Sequence, residues 1–247
     1  MMHLENKNEW FANWFDSPYY HLLYDNRDEN EAANFLERLT DSLAIPTSTH
    51  ILDLACGAGR HSRVLHRLGF TVSGCDLSPN SIQEAIEKAQ HGMQFFVHDM
   101  RETLPQQYDA IFNLFTSFGY FDQLSDNLKV LNSIHKALPL NGLLVIDFMN
   151  ATKVIHELKL RQELIKQGIT FHIKREVNNG RIVKTIAFEA EGQSYFFQEK
   201  VQALRLSDFQ ELLQQAGFEI QTTFGSYDLD PFNEQTSDRL ILICRTK

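Results

Sequence analysis

Short apolar runs alternate with amphipathic stretches through the first 150 residues of the chain. The runs predict strands near 50–54, 70–76, 93–97, 109–115 and 142–148, each bounded by turn-forming or charged residues. Between them the apolar spacing becomes helical, giving helices at about 60–68, 79–90 and 125–138. Ahead of the first strand, Ala32, Phe35, Leu36, Leu39 and Leu43 recur at helical spacing within Glu29 to Leu43. Ser78-Pro79 marks a helix start, with Ser78 as N-cap and Pro79 at the first helical position. Asn141-Gly142 marks the turn into the fifth strand. Such alternation predicts an α/β domain, a parallel sheet with helices on both faces.

After residue 150 the period shortens to that of strands. Ile169 to Val177, Arg181 to Glu189 and Tyr195 to Leu204 are β-rich, separated by Asn178-Asn179-Gly180 and Glu191-Gly192. Asn-Gly between such runs is a hairpin signal, so a three-stranded antiparallel insertion is expected. Ser207 to Ala216 reads as a helix with Ser207 as N-cap and Gly217 as its stop. Phe218 to Phe224 and Leu240 to Cys244 then complete a sheet of seven strands.

Chemistry first enters at the end of the first strand. His50-Ile51-Leu52-Asp53-Leu54-Ala55-Cys56-Gly57-Ala58-Gly59-Arg60 is an apolar run holding one acid, followed by a Gly-x-Gly turn and a helix. Strand, glycine loop and helix in this order let a nucleotide-like ligand lie against the backbone. Asp76 closes the second strand, where a ribose-binding carboxylate belongs. A dinucleotide fingerprint would place a third glycine where this chain has Ser62. Asp53 inside an apolar strand needs a partner, either the loop amides or a ligand. Asp76 has an alternative role as a cap for the helix at Ser78, and Asp99 as a turn cap.

The Asp-x-x-x-Gly-x-Gly pattern of Asp53 to Gly59, with Asp76 behind it, resembles the glycine loop of class I S-adenosylmethionine (SAM) methyltransferases. Two further stretches, Phe96-Val97-His98-Asp99-Met100-Arg101 and Asn113-Leu114-Phe115-Thr116-Ser117-Phe118-Gly119-Tyr120, resemble small-molecule N-methyltransferases of the amino-sugar N,N-dimethyltransferase kind. The resemblance implies a Rossmann-like, mostly parallel seven-stranded sheet with an antiparallel β insertion after the fifth strand. It divides the chain into an N-terminal helical cap (1–48), a SAM-binding core (49–150), the insertion (151–205) and a segment completing the core sheet (206–247). It further implies that Asp53, Ala55, Gly57 and Gly59 approach the amino acid end of SAM. Asp76 would hold the ribose, Leu77 and Met100 would pack the adenine, and Asp99 would meet the adenine amino group. Asn113, Leu114 and Phe115, ending the fourth strand, would pass beneath the sulfonium. Arg27 would pair with the SAM carboxylate.

The acceptor-facing candidates are Tyr20, Tyr120 and His98. Tyrosine rings can favour a sulfonium or ammonium cation, with packing as the alternative. His98, His21, His61 and Asp122 could serve as bases for a hydroxyl acceptor; a lone histidine is more often packed or hydrogen-bonded. Cys56 beside the loop reads as packing, not as a nucleophile.

Composition narrows the partners. The 32 acidic and 23 basic residues give a net charge of −9, which disfavours nucleic acid as substrate. No apolar run approaches the ~20 residues needed to cross a bilayer, and residues 1–9 do not resemble a signal peptide. Cys56, Cys75 and Cys244 read as free thiols in a reducing compartment, so a cytoplasmic location is expected, and no Cys/His spacing resembles a metal site. The expected activity is methyl transfer from SAM to a nitrogen or oxygen of a small molecule, by a monomer or homodimer. The alternatives are an RNA or protein methyltransferase, or a SAM- or NAD-binding module without catalysis.

Overall fold

The computed structural model describes residues 14–24 and 29–247. Arg27 lies outside the described residues, and the side chain of His21 is likewise not described. Among the described residues, the helices α1 (Pro18–Leu23) and α2 (Glu29–Ser42) precede the first strand. A βα alternation follows through β1 (His50–Leu54), α3 (Arg60–Arg67), β2 (Thr71–Asp76), α4 (Pro79–Glu87), β3 (Met93–Val97), β4 (Ala110–Asn113), α5 (Leu124–Ala137) and β5 (Leu143–Met149). A short helix, α6 (Ala151–His156), leads to the insertion strands β6 (Arg161–Lys166), β7 (Ile169–Asn178), β8 (Arg181–Ala190) and β9 (Gln193–Gln202). The chain then returns through α7 (Leu206–Gln215), β10 (Phe218–Phe224) and β11 (Arg239–Thr246).

Seven strands form one sheet in the order β10-β11-β5-β4-β1-β2-β3. β1 to β5 are mutually parallel, and β11 runs antiparallel to both of its neighbours. Alternate side chains feed opposite faces, as the pleat requires. Leu52, Ile111, Leu144, Ile146, Leu240 and Leu242 pack on α5 and α7. Ile51, Ala110, Phe112, Val145, Ile241 and Ile243 pack on α2 and α3. A sheet covered on both sides by helices explains why these strands read as nearly continuous apolar runs.

The insertion has four strands rather than three, in the order β6-β7-β8-β9. β6 is an edge strand whose residues alternate exposed and half-buried, and its Arg-Gln-Glu-Leu-Ile-Lys sequence carries little apolar signal. Each of its three hairpins turns on two residues with positive φ, Gln167-Gly168, Asn179-Gly180 and Glu191-Gly192. That conformation matches strand twist and is why glycine stands second in each. Ser78 is the N-cap of α4 as expected, its Oγ accepting from the Ser81 amide at 3.0 Å, with Pro79 next. For α7 the expectation is corrected. The helix starts at Leu206, with Arg205 as N-cap, and Asp208 accepts the Arg205 amide at 2.7 Å. Ser207 therefore lies inside the first turn, and an acid at the third helical position supplies the reciprocal cap bond.

Among the described residues, no helix is long and apolar enough to cross a membrane.

Candidate functional site

The strand order reverses between β1 and β4, which sit side by side with Ile51 opposite Ala110 and Asp53 opposite Phe112. Open α/β sheets bind ligands at such a switch point, outside the carboxyl ends of the strands. A cavity of about 490 Å³ lies there. It is lined on one side by the loop after β1 and the ends of β2 and β3, and on the other by the inner face of the insertion sheet.

The loop after β1 approaches the cavity with its backbone. Ala55, Gly57 and Gly59 all have positive φ. A Cβ built on Gly57 would meet nothing within 4 Å, so the peptide edge there stands open to the cavity. Gly59 packs the other way: a Cβ there would lie 3.0 Å from the Phe95 ring. Asp53 is buried behind the loop, where its carboxylate accepts from Ser62 Oγ at 2.6 Å. The serine that replaces the third glycine thus ties β1 to α3. Burial pushes the Asp53 carboxyl up to about 6, against the lowering effect of the Ser62 bonds. Burial likewise pushes the Cys56 thiol well up, away from the thiolate that a nucleophile requires.

Asp76 lines the cavity at the end of β2 and accepts the amides of Gly57 at 2.8 Å and Ser78 at 2.9 Å. Burial raises its carboxyl, with these backbone bonds acting in opposition. The capping role and an exposure to ligand therefore coexist in one side chain. Asp99 lines the same wall but is gripped by Arg101, whose Nε and Nη2 both donate to it. Burial raises the Asp99 carboxyl, but the Arg101 bonds outweigh it and hold the group below its ordinary range. Leu77 and Met100 complete this wall.

At the end of β4 the strand stops at Asn113, earlier than the sequence suggests. Asn113 is turned away from the cavity lining and donates to the Leu54 carbonyl at 2.9 Å. Leu114 and Phe115 do line it, but as a turn. Phe115 and Thr116 both have φ of +60, a costly backbone for residues with side chains. The fixing group is Asp147, buried on β5. Its carboxylate accepts the Phe115 amide at 2.8 Å, Tyr227 Oη at 3.1 Å and Arg239 Nε at 2.7 Å. Arg239 also donates to Thr116 Oγ1 at 3.0 Å. Neither Asp147 nor Arg239 stands out by motif, although an acid within the apolar Leu143 to Met149 run carries the same signal as Asp53.

The cover over the cavity comes from residues 14–24. Asp16 accepts Ser78 Oγ at 2.5 Å and Asn80 Nδ2 at 2.8 Å, fastening the segment to the start of α4. On the insertion side, Trp14 Nε1 and Tyr24 Oη donate to Glu199 on β9 at 2.7 and 2.6 Å. Tyr20 packs against Trp14, Phe15 and Tyr24, and Phe15 in turn against Tyr120. Tyr20 and Tyr120 both line the cavity. His98 lines it as well, with Nε2 3.3 Å from the Glu102 carbonyl, and His61 stands beside Arg60 at 3.1 Å. Asp122 is exposed and outside the lining. Of the candidates named from sequence, Ala55, Gly57, Asp76, Leu77, Asp99, Met100, Leu114, Phe115, Tyr20, Tyr120, His61 and His98 meet at the cavity, whereas Asp53, Gly59 and Asn113 stand behind its wall. Among the described residues, no group of His, Cys, Asp or Glu side chains could hold a metal ion.

The fold is shared with proteins of one domain family. Residues 46–217 match the model of the methyltransferase domain family, and the chain belongs to that family. A Bacillus subtilis protein with the name "Putative methyltransferase YqeM" is 32% identical over 115 residues, 45% of this chain; the chain spans about half, 47%, of that relative's length. The glycine/sarcosine N-methyltransferase of Halorhodospira halochloris is 27% identical over 84% of this chain and 80% of its own. Among solved structures, a SAM-dependent methyltransferase from Clostridium acetobutylicum superposes with a TM-score of 0.79 at 17% identity, over 95% of this chain and 98% of that one. The SAM-bound amino pentose methyltransferase CalS10 from Micromonospora echinaspora gives 0.68 at 18% identity, over 94% and 98%.

Proposed function

We propose that the protein is a SAM-dependent methyltransferase that methylates a nitrogen of a small molecule. The observation that carries this reading is the single cavity shared by the β1 loop with Asp76 and the enclosed face of the insertion sheet. The first half suits SAM. Its peptide edge at Gly57 is open, Asp76 offers carboxylate oxygens where ribose hydroxyls belong, and Leu77 and Met100 supply an apolar wall. When bound there, SAM supplies a methyl group already activated by its sulfonium.

The protein's own task is then placement and exclusion of water. Holding reactants in line can lower a barrier by ~7–11 kcal/mol in the best intramolecular models. The Phe115-Thr116 turn, pinned by Asp147 and Arg239, fixes the wall between the two halves. The aromatic cover of Phe15, Tyr20 and Tyr120 keeps water from the centre. A neutral amine needs no strong base, only a site that desolvates it. That suits a cavity in which the His98 ring already meets the Glu102 carbonyl. The glycine/sarcosine N-methyltransferase among its relatives, named for transfer to nitrogen, supports the same acceptor atom.

The test is to incubate the protein with methyl-labelled SAM and a panel of amines matched to the corresponding alcohols and phenols. Label is expected in N-methyl products. Label found only in O-methyl products overturns the nitrogen assignment. The net charge of −9 stands against RNA as acceptor.

A further inference from the structure

One row of side chains crosses the inner face of the insertion sheet. Arg175 on β7 lies opposite Lys184 on β8, and Lys184 opposite Glu199 on β9. All three line the cavity. The rows beside them are apolar, with Ile173, Ile186 and Phe197 on one side and Ile182 and Val201 on the other. Three charges in such a face must balance, because buried charges are stable only when paired and hydrogen-bonded.

They do not balance. The Glu199 carboxylate takes Trp14 Nε1 and Tyr24 Oη on one oxygen and faces Lys184 Nζ at 3.6 Å with the other. Its charge is thereby matched to Lys184. Arg175 Nη2 reaches only the neutral Gln162 Oε1, at 3.0 Å. Arg175 Nη1 is buried and has no hydrogen-bond partner among the described residues. Within the row, among the described residues, two cations stand against one carboxylate, and that carboxylate faces Lys184, not Arg175. A buried charged donor left without an acceptor is costly, and a guanidinium edge is shaped to receive a carboxylate.

We propose that Arg175, with Lys184 beside it, anchors a carboxylate on the methyl acceptor. The inference rests on the methyltransferase reading above and narrows it: the acceptor is a small amine that also bears a carboxylate. The carboxylate lies against β7 and β8 and the nitrogen points back toward the Phe115 turn. The gain for the protein is orientation, since one end of the acceptor is fixed while the other meets the methyl group.

The experiment uses the full-length protein saturated with SAM and titrates it with acetate and, separately, inorganic phosphate, followed by calorimetry and by thermal unfolding. Acetate is expected to bind and stabilise the wild type, Arg175→Gln to lose at least tenfold in acetate affinity, and Arg175→Lys to regain part of it. SAM affinity should stay within about twofold in both variants, which also shows that they fold. Methyl transfer is then compared between amines offered as the acid and as the carboxamide. The wild type should prefer the acid, and Arg175→Gln should erase that preference through KM more than kcat. No acetate binding to the wild type, equal binding to Arg175→Gln, or a preference for phosphate over acetate overturns the proposal. If acetate binding depends on Arg175 while no amine of the panel is methylated, the anion site stands and the nitrogen-acceptor reading fails.

Discussion

Two aspartates end up in the same corner of the molecule with different tasks. Asp76 faces the cavity and Asp53 lies under the loop, and substitutions separate them. Asp76→Ala removes a carboxylate that suits the ribose hydroxyls, so SAM affinity should fall by about 1–3 kcal/mol, read by calorimetry, with unfolding still cooperative. Asp53 bears on stability through pH. Its folded carboxyl sits at about 6, above its ordinary 3.8. A raised carboxyl pKa contributes stability below the ordinary value, and that contribution is lost as pH rises through about 6. Asp53→Asn keeps an acceptor for Ser62 and removes the buried charge. Relative to wild type it should gain up to about 3 kcal/mol between pH 4 and pH 7.5, measured by urea unfolding at both values. No change with pH would mean that Asp53 ionises as freely as in the unfolded chain. From sequence, the acid in an apolar strand announced the need for a partner, but that the partner is Ser62 depends on the angle at which α3 leaves the loop. Arg175 illustrates the opposite case. In the sequence it is one basic residue in a strand of mixed charge, and only the register of β7, β8 and β9 reveals an unbalanced row.

The elements that define the cavity were readable wherever one period dominated. β1 to β5 and α2 to α5 fall where apolar spacing places them, because a two-sided sheet and its covering helices leave strong patterns. Misplaced boundaries have local causes. β4 ends early because Asp147, distant in sequence, draws Phe115 and Thr116 into a left-handed turn, and β6 escaped because an edge strand needs few apolar residues. The N-cap of α7 is Arg205 rather than Ser207, because Asp208 accepts the Arg205 amide and closes the first turn there. For the segment 14–24 the resemblance implied a cap, but the side chains that fasten it were not legible. Its attachment to the seven-stranded domain runs through Asp16, bonded to Ser78 and Asn80, while Trp14 and Tyr24 bond Glu199 of the insertion. Asp16→Ala should loosen the cover from the start of α4 while leaving the two-sided sheet intact. Chymotrypsin is expected to cut within residues 14–24 several-fold faster in the variant, with a stability loss of only ~1 kcal/mol or so. Equal cleavage rates would show that the Glu199 bonds alone hold the segment.

Across the whole molecule, two sheets of different logic meet at one cavity. The seven-stranded sheet presents strand ends and loop backbone, while the insertion sheet presents side chains from its flat face. Parallel pairing of β1 with β4 joins residues far apart in the chain, whereas every pairing in the insertion joins neighbours across a two-residue turn. The three positive-φ turns therefore set an order of assembly as well as a register. Local hairpins form in ~1–10 μs, and distant parallel contacts wait on slower loop closure. In refolding followed by pulsed hydrogen exchange, amides of β7 to β9 should be protected before those of β1 and β4. Simultaneous protection would contradict this order. The insertion would then be a finished surface when the parallel sheet arrives. The cavity would come into being only at that final docking, so that competence to bind an acceptor reports completion of the fold.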